Sequence, residues 1–365
     1  MWAKKIRDLF SRKKKDEIRS RAEFLSSLMS KGSAPKNIVP PEDLSPLIQF
    51  GEPVSVTKSG GHAVVLNHKK SCYTTFDKIP KEVDLNYYYS NYYSRGEKSN
   101  ESYYTIEDDY GVKSQMRADR HEYRLKRHVA KTSNPVFLDL GCAFGGAVSA
   151  LRSRGHVAFG IDVSEYAIST GRKHGNNHIF VDDSKELSEA SLPLADVTTC
   201  FHTLEHIPDP IAYLKKTKSR MKEGGVILFH VPNGAYAGAW LSGFKSWEWF
   251  NFPDHLYFYT PYSIVNLAKL AGFELVEFSS RNPIRLAEKI IKEAQIECEI
   301  EALNAALQEA CLGAELQFVL RKPRSAKTLA DNSRWDDLVE GLAHMEQNLK
   351  KDPKKCLKDI VNKIN

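Results

Sequence analysis

Residues 136–146 read VFLDLGCAFGG, and this stretch decides the fold of the chain. A short apolar run is followed by a glycine-rich turn and then by a helical pattern, which is typical of the first strand, turn and helix of an α/β domain. Glycines let the backbone approach a ligand closely, and the helix that follows offers unpaired N–H groups. Many α/β proteins have such a turn, so this segment predicts the fold without identifying a ligand.

Downstream of this stretch, strand and helix patterns alternate. Further strands are predicted at 157–161, 178–181, 197–201, 226–231, 273–278 and 315–321. Helices are predicted at 164–173, 210–221 and 262–271, with one long helical stretch at 285–311. Strands separated by helices of this length predict a mostly parallel sheet with helices on both faces. The predicted fold class is α/β, with a seven-strand doubly wound (Rossmann-like) sheet and helical N- and C-terminal extensions.

The chain divides into four predicted regions. Residues 1–34 form a basic amphipathic arm, 35–133 a linker and tyrosine-rich preamble, 134–323 the α/β domain and 324–365 a helical tail. Eight of the sixteen tyrosines fall between Tyr87 and Tyr110. Tyrosine offers an apolar face with a polar tip, so this cluster indicates either ligand contact or packing against the body.

The positive charge is confined to the arm. Residues 1–34 carry a net charge of +6, equal to that of the whole 365-residue chain, so the rest is neutral. A neutral body disfavours a nucleic-acid partner. The arm is expected to dock on the body or on another subunit of an oligomer, or else to lie on an anionic membrane surface through residues 1–31. Six cysteines without a CxxC pair disfavour a zinc ribbon or disulfide framework and predict a cytoplasmic protein, peripheral at the membrane if the arm binds there.

Acidic residues end the first three predicted strands or lie close to their ends. Asp162 lies 23 residues beyond Asp139, and Asp182 and Asp183 follow the third strand. A carboxylate accepts two hydrogen bonds from a vicinal diol, and a second acid suits an adenine amino group. Because the carboxyl ends of parallel strands lie at one edge of a sheet, these acids predict a nucleoside site.

Together these residues resemble the class I S-adenosylmethionine-dependent methyltransferases. The 139–145 segment is similar to that family's acid-x-Gly-x-Gly-x-Gly turn, Asp162 to its ribose-binding acid and Asp182–Asp183 to its adenine-side position. FHTLEHIPDP at 201–210 and PDHLYFYT at 253–260 resemble the branch that includes ubiquinone-type O-methyltransferases. The resemblance covers residues 134–323.

The resemblance implies that S-adenosylmethionine is the cofactor. The residues implied to bind it follow the first four strands: Asp139, Gly141, Cys142, Ala143, Gly145, Asp162, Val163, Asp182, Asp183, Phe201 and His202. Ala143 departs from the family, which has its middle glycine there, and its methyl group narrows the space beside the methionine part of the cofactor. A nicotinamide-dependent dehydrogenase is a less favoured alternative.

Methyl transfer requires a positioned acceptor and removal of its proton. His206 follows the fourth strand and is predicted as the general base, since histidine titrates near neutral pH. Glu205 would orient a base or bind a hydroxyl, and His255 is the alternative base or a substrate ligand. Structural packing is the competing interpretation for each histidine. No metal site is predicted, because no ligand spacing here is specific enough.

An aromatic insert follows the fifth strand. It holds three of the five tryptophans, and four aromatic residues here are predicted to contact substrate: Trp240, Trp247, Trp249 and Tyr257. Aromatic faces stack on sugar rings, so the main prediction is O-methylation of a carbohydrate, either a nucleotide sugar or a surface glycan. The alternatives are O-methylation of a quinone precursor or phenol, and a non-catalytic scaffold that retains the fold. Transfer to nitrogen or carbon also stays open.

Overall fold

The computed structural model describes residues 53–59, 62–67, 73–76, 89, 93–94, 104–129, 132–207, 209–242, 249, 255, 257–281, 284–325 and 336–364. The predicted basic arm and Trp247 lie outside these residues. Within the described ranges, no helix is long and apolar enough to cross a membrane.

The described residues contain strands in two sheets. The strands are β1 Pro53–Ser59, β2 His62–Asn67, β3 Tyr73–Phe76, β4 Val136–Leu140, β5 Val157–Asp162, β6 Ile179–Val181, β7 Ala195–Phe201, β8 Met221–Pro232, β9 Tyr257–Tyr259, β10 Glu274–Arg281 and β11 Glu315–Arg321. The larger sheet has the order β10-β11-β8-β7-β4-β5-β6, and the smaller one β1-β2-β3-β9. The predicted seven-strand α/β sheet is thereby confirmed.

Five neighbouring strands of the larger sheet, from β6 to β8, run parallel, and β11 and β10 are antiparallel additions. From β4 the chain builds outward through β5 and β6, then returns to build β7 and β8 on the opposite side of β4. The order of strands therefore reverses at β4, and a ligand crevice forms outside the carboxyl ends of strands at such a point.

Helices cover the larger sheet. They are α1 Ile106–Tyr110, α2 Val112–His128, α3 Gly146–Ser153, α4 Glu165–Lys173, α5 Lys185–Glu189, α6 Pro210–Ser219, α7 Ala237–Ser242, α8 Pro261–Leu270, α9 Ile284–Ala294, α10 Ile300–Glu309, α11 Asp336–Lys351 and α12 Pro353–Ile364. The prediction of one helical stretch over 285–311 was wrong, because Gln295 adopts a φ of +55° and ends α9 there. That left-handed conformation breaks the helical hydrogen-bond ladder.

The smaller, antiparallel sheet was not predicted. Its strand β9 lies between β8 and β10 in the chain, yet it pairs with β3, with Tyr73 opposite Tyr259. The preamble is therefore joined to the α/β domain by backbone hydrogen bonds. Short strands whose partners lie this far away in sequence give little local signal.

The core lies on both faces of the larger sheet. On one face Phe229 of β8 stacks on Phe318 of β11 with ring centroids 4.7 Å apart. Helices α11 and α12 bury Leu349 and Leu357 in the same apolar cluster. A second cluster on β4, which includes Phe137 and Leu151, packs against Ala118 of α2. Apolar packing on both faces of the larger sheet thus fixes the edge at which its parallel strands end.

Candidate active site

A cavity of about 1020 Å³ opens at the carboxyl ends of β4, β5, β6 and β7. Its walls also include Tyr104 and side chains of α2. Most of the predicted site residues line it: Gly141, Ala143, Asp162, Val163, Asp182, Asp183, Phe201, His202, His206, Trp249 and His255. The fold therefore brings the predicted nucleoside site and the predicted catalytic histidines into one cavity.

Three predicted cofactor residues lie behind the cavity wall. The carboxylate of Asp139 accepts a 2.5 Å hydrogen bond from Thr199 Oγ1, and His121 Nε2 lies 2.6 Å from the same hydroxyl. Cys142 is buried, and its carbonyl accepts a hydrogen bond from Gly145 N. Gly145 has a φ of +85° and precedes α3. These three residues shape the turn instead of facing the cavity.

The glycine turn is held against the end of β5. Ala143 N donates to Asp162 Oδ2 at 2.8 Å, and Ser164 N donates to Asp162 Oδ1 at 2.9 Å. Ala143 has a φ of +49°, a left-handed conformation that costs a residue with a Cβ atom about 1 kcal/mol. The family's glycine would adopt this conformation without strain, so the departure noted in the sequence is a strained position.

Asp162 fits a ribose diol. Each carboxylate oxygen already accepts one backbone N–H and has a second lone pair for a hydroxyl. Burial, with a smaller contribution from nearby Asp109 and Asp139, raises the pKa of Asp162 to about 6, despite the hydrogen bonds from Ser164 and Ala143 that lower it. A bound diol would supply the hydrogen bonds that favour the ionised form.

The predicted adenine-side acids are paired with lysine. Lys216 of α6 donates to Asp182 at 3.1 Å and to Asp183 at 2.5 Å, and all three residues line the cavity. Arg220 lies 3.6 Å from Asp182. This end of the cavity is therefore polar and nearly charge-balanced.

A glutamate and three histidines lie together beyond β7. Glu205 is fully buried, and His202 Nδ1 lies 3.6 Å from its Oε1. Burial raises the pKa of Glu205, but the interaction with His202 and the charges of His206 and His255 together lower it below its ordinary value. Within the described part of the chain, neither carboxylate oxygen accepts a hydrogen bond. Glu205 thus places a buried negative charge beside the histidines.

All three histidines line the cavity, and His206 and His255 lie next to each other there. The rings of these two are 4.9 Å apart, and His255 Nδ1 is 2.6 Å from the carbonyl oxygen of Trp249. A carbonyl only accepts, so His255 is protonated at Nδ1. One ligand atom each from Glu205, His206 and His255 lies within 4.8 Å of the others. This set could hold a divalent cation, although the sequence alone did not single it out as a metal site.

The predicted aromatic contacts are only partly on the cavity. Trp249 lines it and stacks on His202, with centroids 5.1 Å apart and planes at 4°. Trp240 Nε1 instead donates to Gly234 O at 3.0 Å, and Tyr257 is buried against Tyr259. The aromatic insert therefore presents one indole to the cavity among its described residues.

Residues upstream of the α/β domain complete the cavity, and sequence reasoning did not assign them. Tyr89, Tyr93 and Tyr104 line it, and the Tyr89 ring lies 5.6 Å from that of His206. Their clustering was the available signal. Asp109, which is buried, gave no signal; its carboxylate accepts from Arg117 at 2.8 Å and from Gly146 N at 2.8 Å, which attaches α1 and α2 to the glycine turn.

The comparisons with known proteins agree with this geometry. Residues 113–278 match the model of a methyltransferase domain family. A ubiquinone biosynthesis O-methyltransferase of Idiomarina loihiensis is 29% identical over 184 residues, covering 45% of this chain and 74% of that protein. The Histophilus somni protein of the same description is 26% identical over 153 residues, covering 40% of this chain and 63% of that protein. The chain thus spans less than two thirds of the length of the second relative.

Solved structures match this chain at lower sequence identity than these two relatives do. Magnesium protoporphyrin IX methyltransferase of Synechocystis, solved with bound S-adenosylhomocysteine, is 12% identical with a TM-score of 0.40, covering 66% of this chain and 95% of that one. The match to a methyltransferase family and the cavity at the strand ends both agree with the methyltransferase resemblance of the sequence motifs. Residues 113–278 are therefore a class I S-adenosylmethionine-dependent methyltransferase domain.

Proposed function

We propose that this chain methylates a hydroxyl group of a phenolic or related aromatic small molecule. The observation that supports this most is the placement of His206, beside Glu205 and His255 and on a cavity with aromatic walls. The two relatives named above are ubiquinone biosynthesis O-methyltransferases, which favours a phenolic acceptor over the carbohydrate predicted from the aromatic insert.

The cofactor supplies an activated methyl group on a sulfonium. Asp162 and the backbone at Gly141 and Ala143 would hold the nucleoside part at the β4–β5 side of the cavity. The bound cofactor would donate its methyl group to the acceptor oxygen, and its sulfur would keep the electron pair of the broken carbon–sulfur bond. His206 takes the proton of the acceptor hydroxyl, and the negative charge of Glu205 stabilises the resulting imidazolium.

Flat rings suit the walls around His206. The rings of Tyr89 and His206 meet at 84° in an edge-to-face contact, and Trp249 stacks on His202. Offset and edge-to-face contacts with a planar acceptor contribute about 0.5–1.5 kcal/mol each beyond buried area. Carbohydrate is the second candidate, favoured by Trp249 alone among the described residues of the insert.

The test is transfer of isotope-labelled methyl from S-adenosylmethionine to three purified acceptors: catechol, 3,4-dihydroxybenzamide and a uridine diphosphate hexose. We expect labelled ether with the two phenols. His206→Gln should slow transfer by about 10²–10⁴-fold, while His178→Gln, which alters a histidine outside the cavity, should leave it unchanged. Label on the sugar alone would favour the carbohydrate candidate, and no label on any acceptor would contradict the phenolic assignment.

A further inference from the structure

We propose that Arg120 binds an anionic group, a carboxylate or phosphate, carried by the acceptor. This inference rests on the proposed function and narrows its substrate class to hydroxyaromatic acids or their phosphorylated counterparts. It follows from a charge imbalance among four arginines near one end of the cavity.

Three of these four arginines are neutralised by carboxylates. Arg117 pairs with Asp109 at 2.8 Å, and Arg124 pairs with Glu277 at 2.7 Å. Arg281, at the end of β10, pairs with Glu315 at 2.6 Å. Arg120 has no such partner within 4.0 Å among the residues that the structure describes.

Arg120 is half-buried and lines the cavity. Its guanidinium carbon lies 6.0 Å from the ring centre of Phe201, the last residue of β7. Burial lowers the pKa of Arg120 and the charge of Arg281 lowers it further; the negative charge of Glu315 opposes this shift, and the charges of Arg117 and Arg124 add to it. A half-buried guanidinium with no carboxylate in contact is stabilised when an anion binds it.

The neighbouring histidine does not change this balance. Burial lowers the pKa of His230 to about 2, and Arg120 contributes to the same shift, so His230 is neutral at physiological pH. It lines the cavity beside Phe201, with ring centroids 4.3 Å apart. The surface beside Arg120 thus consists of the rings of Phe201 and His230, and no carboxylate among the described residues contacts its guanidinium.

The position of Arg120 favours the acceptor over the nucleoside. Phe201 and His230 lie on β7 and β8, on one side of β4, whereas Asp162 and Asp182 lie at β5 and β6 on the other side. At that second end the cations Lys216 and Arg220 already pair with Asp182, so they are less available to an acceptor anion. The cofactor's own carboxylate is the competing anion, and Arg117 is nearer to the turn that would hold it, since Asp109 joins Arg117 to Gly146.

A planar guanidinium offers two parallel N–H donors to a carboxylate or phosphate. If the aromatic ring of the acceptor stacks on Phe201 or Trp249, the contact with Arg120 would also prevent the ring from rotating within its own plane. A specific orientation would then select one of several hydroxyls for methylation.

The test uses protein saturated with S-adenosylhomocysteine and two probes that differ by one charge: 3,4-dihydroxybenzoate and 3,4-dihydroxybenzamide. Their affinities are measured by calorimetry in wild type, Arg120→Gln and Lys126→Gln. Lys126 is an exposed residue of the same helix, outside the cavity, so its variant removes one positive charge without touching the site.

Wild type and Lys126→Gln should bind the benzoate about tenfold or more tightly than the benzamide, because a charged hydrogen bond contributes about 1.5–3 kcal/mol. Arg120→Gln should lose this preference, bind the benzamide as wild type does, and retain its affinity for S-adenosylhomocysteine. Arg120→Lys should keep part of the preference.

Equal affinities of wild type for the two probes, or no binding of the benzoate, would overturn the proposal. So would a drop in affinity for S-adenosylhomocysteine in Arg120→Gln with the preference intact, since Arg120 would then hold the cofactor's carboxylate. Methyl transfer to the benzamide is measured in parallel. If the benzamide is methylated and the preference is absent, this inference fails while the proposed function stands.

Discussion

The two ends of the cavity are built in different ways. At the nucleoside end, Asp162 ends β5 and Asp182 and Asp183 follow β6, so their place is a consequence of strand order. At the acceptor end, Arg120 comes from α2, His206 from the connection after β7, and Trp249 and His255 from the connection between β8 and β9, three segments spread over more than a hundred residues. The first end depends on local sequence, and the second depends on how distant segments pack.

The two ends also differ in charge. Aspartates line the nucleoside end, where Lys216 neutralises two of them. Histidines and arginines line the acceptor end, where Glu205 and Glu315 are the balancing acids. If this division is correct, variants at one end change cofactor affinity and variants at the other change turnover or acceptor affinity.

The largest expected effect is at the acceptor end. His206→Gln removes the proton acceptor, so kcat should fall by about 10²–10⁴-fold. The affinity for S-adenosylhomocysteine, measured by calorimetry, should stay within twofold of wild type. A variant that loses cofactor affinity and turnover together would show that His206 belongs to the cofactor end, which would break the comparison.

The next effect is at the nucleoside end. Asp162→Asn removes the charged acceptor of the ribose hydroxyls, so affinity for S-adenosylhomocysteine should fall by about 10- to 100-fold. Asp119→Asn is the matched control, because Asp119 is exposed on α2 and pairs with Arg154 away from the cavity. Unchanged affinity in Asp162→Asn, with the control also unchanged, would mean that the ribose lies elsewhere.

The pH dependence sharpens the same point. Because burial raises the pKa of Asp162 to about 6, the carboxyl is protonated below that pH and ionised above it. Hydroxyl donors favour the ionised form, so cofactor affinity should be constant above pH 6 and fall by up to about tenfold per unit below it. Calorimetry between pH 5 and 8 measures this. Asp162→Asn should lose the inflection, and an inflection retained in that variant would assign it to another group.

The smallest effect concerns the strained turn. Ala143→Gly relieves about 1 kcal/mol of left-handed strain, but glycine increases the entropy of the unfolded chain by a similar 0.4–1 kcal/mol. The free energy of unfolding should therefore change by less than about 0.5 kcal/mol, as measured by denaturant titration. Cofactor affinity should rise slightly if the methyl group narrows the site. Destabilisation by more than 1 kcal/mol would contradict the strain assigned here.

The larger sheet could be predicted from the sequence because its strands have strong local signals. Local patterns place these strands: the 136–146 stretch, the acids at the ends of β5 and β6, and the alternation of strand and helix. The smaller sheet and the division between α9 and α10 were missed, since β9 has three residues and the break at Gln295 is a single backbone conformation.

The site residues, like the strands, could be predicted only where the local sequence carries a signal. Asp162 and His206 could be found because a ligand lies at the carboxyl ends of strands, and both residues are at or just beyond such an end. Arg120 and Tyr89 could not be assigned, because helix α2 and the preamble reach the cavity only through tertiary contacts such as Asp109 with Gly146. Tyrosine clustering indicated that something packs or binds there without saying which.

The most direct test of the divided cavity is a crystal structure of the chain with S-adenosylhomocysteine. We predict that both ribose hydroxyls lie within hydrogen-bond distance of Asp162, and that the sulfur faces the end of the cavity that holds His206. A ribose placed against Arg120 or Arg281, or a sulfur turned away from His206, would contradict this account.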